Sequence, residues 1–267
     1  MNKLLYILVA SLILCTSCKI KIKPNGNISR RENIEVQRYD RLESRYLTTG
    51  DFSALQQMNT DFPMETRTLI EDVLQIGEVN DPEINSKFLH FYQDTILQSI
   101  ISATELQYAN MNDINQQLND TFRKLKKIFP DIKTPKFYTQ IGALDQSIIV
   151  GDNSVGISLD KYLGSEYPLY KHYYSESQRR LMKREYIVPD CISFYLLSLY
   201  PLKNHDTSTQ YERDLHMGKV MWIVNKVIGR SVFDTKFVNI IDNFMRQNSN
   251  IPAKELLTSD AMSKTAS

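Results

Sequence analysis

The stretch KFYTQIGALDQSIIVGDNSVGISL, residues 136–159, decides the fold. It holds three short runs rich in β-branched and aromatic residues, at 136–141, 147–150 and 155–159. Gly142 breaks the chain after the first run and GDNS at 151–154 separates the other two, both turn signals. Three runs at such short spacing predict a small antiparallel β-meander.

On both sides of it the apolar period lengthens to that of helices. Residues 34–39 alternate and predict one further short strand. Asp51 is placed to cap a helix carrying Phe52, Leu55 and Met58. A helix over 64–75 follows Pro63. Pro82 opens a longer one with Ile84, Phe88, Phe91, Ile96 and Ile100 on its apolar side. From Asp113, a candidate cap, Ile114, Leu118, Phe122, Leu125 and Phe129 form a clean stripe. Beyond the strands, helices are predicted over 175–183, 189–200, 210–227 and 235–247. No internal repeat, interdomain linker or low-complexity block occurs. The expected architecture is α+β, a mostly helical single domain over residues 34–267 with a frayed C-terminal tail.

The first 33 residues are of another kind. A short positive start at Lys3 precedes an apolar run over 4–14, the length of a signal-peptide core and too short to stay in a bilayer as a spanning helix. The run ends in LCTSC, residues 14–18, and small Ser17 before Cys18 resembles a bacterial lipobox. Cys15 is the poorer acceptor, because bulky Leu14 precedes it. An ordinary cleaved signal is the alternative, but no A-x-A-like site stands nearby. Residues 1–17 are therefore expected to be removed and Cys18 acylated. The acyl chains bury many methylenes at about 0.8 kcal/mol each, enough for lasting attachment. Residues 18–33 are basic and polar with Pro24 and Gly26, a tether of about 15 residues able to reach roughly 50 Å. With Cys15 removed and Cys18 acylated, Cys191 remains alone and no internal disulfide can form.

Composition excludes several classes. Lys and Arg number 32 against 31 Asp and Glu, so no global field favours nucleic acid. A mean hydropathy of −0.35 with one apolar run excludes a polytopic membrane protein.

Chemistry-bearing motifs are scarce. His90, His172, His205 and His216 form neither H-E-x-x-H nor any i, i+4 pair, and no metal or cofactor is expected. Cys191 stands on an apolar helix beside Ile192, Tyr195 and Leu196, as a small hydrophobe does. Ser158 and Lys161 match a bare S-x-x-K, the pattern by which lysine takes a serine proton, but the companion S-D-N and K-T-G elements are missing. Two basic clusters, Arg123–Lys124–Lys126–Lys127 and Arg179–Arg180–Lys183–Arg184, are expected to be solvated faces, with a polyanion site the alternative for the first.

FRKLKKIFP (122–130), TPKFYT (134–139), VGISLDKYLG (155–164), IVPD (187–190) and MGKVMW (217–222) together resemble the GldB-type gliding-motility lipoproteins of Bacteroidetes, over roughly residues 115–265. The resemblance implies a membrane-anchored envelope protein tied to surface gliding and its linked secretion machinery, with no catalytic residues to carry over. Positions matching the family pattern are Asp160, Tyr162, Gly164, Pro189, Asp190, Gly218 and Lys219. The segment after Trp222 is shorter here than in the longer members. The order of helices around the strands also resembles zincin-type peptidases, with the ligand motif replaced by PDCISFY at 189–195.

The expected protein is thus lipid-anchored through Cys18 to a bacterial membrane and faces the periplasm, since Lys19-Ile20-Lys21 replaces the acidic residues that direct export to the surface. It docks onto an envelope protein partner and is not catalytic. Asp160, Tyr162, Gly164, Asp190 and Lys219 are the candidate binding residues. Asp160 and Asp190 are expected as helix caps and Gly164 as a backbone requirement. An envelope hydrolase using Ser158 and Lys161 is the alternative, and a small-molecule or glycan receptor a third.

Overall fold

Residues 33–258 are described by the structure, a computed structural model. The expected signal (residues 1–17), Cys18 and all of the expected tether (18–33) but Asn33 lie outside them, as does the tail from residue 259.

The chain opens with α1 (Tyr39–Thr49), α2 (Phe52–Asp61), α3 (Pro63–Arg67) and a π-helical turn (Thr68–Val73). Then come α4 (Ile84–Phe91), α5 (Thr95–Gln107) and α6 (Asn112–Ile128). The strands are β1 (Lys136–Gln140), β2 (Ile148–Val150) and β3 (Ser154–Ser158), followed by a 3-10 turn (Leu159–Tyr162). Two single-turn helices, α7 (Tyr170–Tyr173) and α8 (Glu176–Arg179), lead to α9 (Ile187–Leu199), α10 (Gln210–Ile228), α11 (Lys236–Gln247) and α12 (Ala253–Thr258). The α+β class stands. Among the described residues no helix is long and apolar enough to cross a membrane.

The three strands fall where expected, but not in the expected order. GDNS does turn β2 into an antiparallel partner of β3, with Ile148 opposite Ile157. The 142–147 segment does not fold β1 onto β2. Instead β3 takes the centre, and β1 runs parallel to it with Gln140 opposite Ser158. The sheet is therefore mixed, not an antiparallel meander. Burial gives the reason: Val155, Ile157 and Ser158 are wholly inaccessible, so β3 needs a neighbour on each side, while three-residue β2 serves as an edge.

Residues 34–39 are not a strand. Gln37 alone pairs with β1, its N–H on the Phe137 carbonyl at 2.8 Å and its carbonyl taking the Thr139 N–H at 3.0 Å, before α1 begins at Tyr39. Alternate residues of β1 then point to different cores. Phe137 joins Phe122, Ile157, Ile192 and Ile223 among α6, α9 and α10, whereas Tyr138 joins Leu55, Leu69, Phe88 and Ile100 among the N-terminal helices.

Three predicted helices also differ. The one opened at Pro82 is broken at Tyr92, and Asp94 caps its second half by taking the Ile96 N–H at 2.7 Å. The 64–75 helix passes from α into the π-helical turn. Of 175–183 only Glu176–Arg179 is helical, capped by Ser175. Asp113 does not cap α6: Asn110 takes the Asn112 N–H at 2.7 Å, and Asp113 is gripped by Arg184 at 2.6 Å. Arg184 also lies over the Tyr108 ring, so the second basic cluster is partly tied into the fold.

Candidate functional site

Parallel pairing carries β1 and β3 to the same side of the sheet, where each strand runs into a tight turn. After β1 come Ile141, Gly142, Ala143 and Leu144; after β3 comes the 3-10 turn with Asp160. Ala143 and Leu144 are consecutive non-glycine residues in the left-handed region, with φ of 51° and 65°. Such conformations cost on the order of 1–2 kcal/mol each and persist only where the surroundings impose them.

Here the surroundings are side chains. Asp160 takes the Gly142 N–H on one carboxylate oxygen at 2.9 Å and the Leu144 N–H on the other at 2.6 Å. Glu43, from α1, takes the Ile141 N–H at 2.8 Å, and Tyr92, at the end of α4, donates to the Ile141 carbonyl at 2.5 Å. The Leu144 carbonyl receives the Lys161 ammonium at 3.0 Å and the Tyr174 hydroxyl at 2.7 Å. Gly142 is required by space: a Cβ there would stand 2.9 Å from Ser158 Oγ. Four segments of chain thus clasp one turn.

Asp160 is fully buried and staples this turn to β3; it caps no helix, contrary to expectation. Its neighbour Tyr162 is equally buried and donates to Asp190 at 2.8 Å. Asp190 lies in the first turn of α9 and serves as that acceptor, not as the predicted cap. Gly164 does meet a backbone need, with φ of 107° and its N–H on the Met182 carbonyl. The structure therefore places Asp160, Tyr162 and Gly164 in one segment after β3, with Tyr162 hydrogen-bonded to Asp190 on α9, while Asp160 and Gly164 have partners of their own. Lys219 stands apart on α10, nearly buried, where its charge acts on His216.

Burial pushes the carboxyls of Glu43 and Asp160 above the usual range. Backbone N–H donors oppose the shift in both, and the charges of Asp160 and Asp40 add to it at Glu43. Burial likewise carries Asp190 to about 7 against the opposing Tyr162 hydrogen bond. One Glu43 oxygen and the Gln140 side-chain oxygen are buried without a partner.

The serine–lysine pair is not assembled. Ser158 Oγ is buried and accepts from Gln140 Nε2 at 3.2 Å, while Lys161 serves Leu144 and Tyr174. His216 is buried with its ring nitrogen 2.8 Å from the Tyr200 carbonyl, and burial lowers its pKa; His205 is exposed. Cys191 is buried in the core. Among the described residues no three His, Cys, Asp or Glu side chains converge as metal ligands do. A groove of about 520 Å³ between α3 and the 79–85 loop is lined by none of the predicted residues.

Glu43, Tyr92 and Tyr174 escaped prediction. A signal existed for Glu43: it lies between Tyr39 and Leu47 at spacing i, i+4, the inward stripe of α1, where an ionisable residue is anomalous.

No curated protein and no solved structure matches the chain, so the zincin likeness gains no support. The family model described as "Gliding motility protein GldB" matches residues 21–237, reaching much further toward the N-terminus than the 115–265 over which the resemblance was read. That match takes in β1, β3, Asp160, Tyr162, Gly164 and Asp190, and the chain belongs to the GldB gliding-motility protein family.

Proposed function

We propose that this family member is a cell-envelope lipoprotein, acylated on Cys18 and facing the periplasm, that acts by docking onto another envelope protein rather than by catalysis. The observation that carries the proposal is the clasped turn. Two left-handed residues are held by buried carboxylates and tyrosines, and the chain just beyond them, Asp145 and Gln146, is exposed. A rigid scaffold presenting a short exposed segment suits recognition of a protein surface. Asp160, Tyr162 and Asp190 are buried or partly buried, so their part is to position that segment; Gly164 shapes the turn behind it. Ser158 and Lys161 each spend their polar atoms on structural partners, which favours docking over hydrolysis. Lys219, nearly buried on α10, lies outside this segment.

Site-directed crosslinking tests this. A photoreactive side chain at Gln146 in the lipidated protein should trap one envelope partner in native membranes, and the same group at exposed Lys203 should not. No adduct at 146, or the same adducts at both sites, would sink the docking proposal.

A further inference from the structure

The chain joins the domain along α6. Ile34 exchanges two hydrogen bonds with Asn119, its N–H on Oδ1 and its carbonyl on Nδ2, both at 2.8 Å. Val36 gives its N–H to Asn115 Oδ1 at 3.0 Å. Followed backwards, from Val36 to Ile34, the chain climbs one helical turn from Asn115 to Asn119, toward the C-terminal end of α6.

That end is basic. One turn beyond Asn119 stands Arg123, and Arg123, Lys124 and Lys127 are exposed. Residues 121–130 contain no acidic side chain. Asp120 meets Arg123 at 3.2 Å and Asp131 follows, leaving the cations in excess. Lys124 reaches the Ile228 carbonyl at 3.3 Å, bringing the end of α10, with exposed Arg230, to the same pole. The helix macrodipole accounts for cations in the last turn but not for Arg123 and Lys124 before it.

We propose that this basic pole is a membrane-binding surface, on which Arg123, Lys124 and Lys127 rest against the anionic headgroups of the bilayer holding the lipid anchor. The placement follows from two observations: the positive charge, and the position of Ile34, held to α6 at Asn119 one turn before Arg123, so that the described chain starts beside this pole. The inference rests on the proposed acylation of Cys18 for the membrane it names, because the anchor brings that bilayer's headgroups to the pole at high local concentration. A Lys or Arg near an anionic surface contributes about fivefold in affinity, so the three together contribute about a hundredfold.

The test uses the mature chain, residues 18–267, with Cys18→Ser so that no acyl chain masks the contact. It is sedimented with phosphatidylcholine vesicles containing about one third phosphatidylglycerol, an anionic surface. Neutralising the pole (Arg123→Gln, Lys124→Gln, Lys127→Gln) should weaken binding by about a hundredfold, and the triple reversal to Glu should weaken it further, because each carboxylate adds repulsion to the lost contact. Reversing Lys171, Lys203 and Lys236 instead, with equal net charge, should change binding by less than about threefold. Equal loss in both reversals, or equal binding to pure phosphatidylcholine, would overturn the proposal. Lipid labelling at Cys18 in cells is read separately. A labelled, membrane-bound protein whose pole variants bind vesicles normally keeps the anchor and loses this surface; an unlabelled protein with pole-dependent vesicle binding does the reverse.

Discussion

Glu43 and Tyr92 hold opposite sides of one residue: the Glu43 carboxyl takes the Ile141 N–H at 2.8 Å, and the Tyr92 hydroxyl donates to the Ile141 carbonyl at 2.5 Å. Both side chains are wholly buried, and the second Glu43 oxygen has no donor. Burial first, then the charges of Asp160 and Asp40, drive this carboxyl toward its neutral form. Protonated, the orphaned oxygen no longer carries an uncompensated charge in the core.

Glu43→Gln is therefore expected to keep the clasp and Glu43→Ala to break it. The alanine variant should lose about 1–3 kcal/mol by leaving the Ile141 N–H buried without an acceptor. A folded-state pKa raised above that of the unfolded chain means the folded protein binds more protons, so stability falls as pH rises from about 4.3. Urea denaturation at stepped pH should show this decline in the wild type and a shallower one in Glu43→Gln. A glutamine variant as unstable as the alanine variant at every pH would mean that the site needs a charge.

Asp190 gives a second, separable pH dependence. Its pKa of about 7 in the folded state lies above the ordinary aspartate value, so its neutral form favours folding and stability declines between about pH 4 and pH 7. Asp190→Asn should remove that decline and be more stable than the wild type at pH 8. Tyr162→Phe deletes the hydrogen bond that supports the ionised form. It should thus cost more at pH 8 than at pH 5, by about 1 kcal/mol in paired denaturation curves.

How much of this was legible in the sequence differs from one element to another. The stripe of Ile114, Leu118, Phe122 and Leu125 gave α6 because one amphipathic period suffices to orient a helix. The three strands were legible from composition, yet their order was not, since β1–β3 pairing depends on residues 18 positions apart. What keeps 142–147 from folding as a hairpin is a set of side chains that sequence spacing cannot bring together: Glu43, Tyr92, Asp160 and Tyr174. Asp160 and Gly164 were legible as positions and not as roles. Tyr92 went unseen because the apolar period of Phe88 and Phe91 ran straight through it, concealing the break that its hydroxyl requires.

Gly142→Ala should destabilise through one identifiable contact. The added Cβ would stand 2.9 Å from Ser158 Oγ but 3.4 Å from Ser158 Cβ and Val73. Removing the hydroxyl with Ser158→Ala should therefore restore part of the loss, giving a coupling of about 1 kcal/mol in a double-mutant cycle. Additive effects of the two changes would place the requirement for glycine in the backbone instead.

Ser158→Ala and Asp160→Asn together separate docking from hydrolysis. Ser158 Oγ accepts one bond of 3.2 Å from Gln140, so its loss should cost no more than about 1–2 kcal/mol and leave the clasped turn intact. Asp160→Asn replaces one of two acceptors facing the Gly142 and Leu144 N–H groups with an amide donor, which repels the N–H it faces. Hydrogen exchange normalised for pH should show protection of residues 142 and 144 falling at least tenfold in Asp160→Asn, against no change in Ser158→Ala. Crosslinking from Gln146 should follow the same order, lost with Asp160→Asn and retained with Ser158→Ala. The opposite order, with crosslinking abolished by Ser158→Ala while the turn stays protected, would sink the docking role of the clasped turn; hydrolysis of a peptide or cell-wall substrate that disappears with Ser158→Ala would be the mark of a nucleophilic serine.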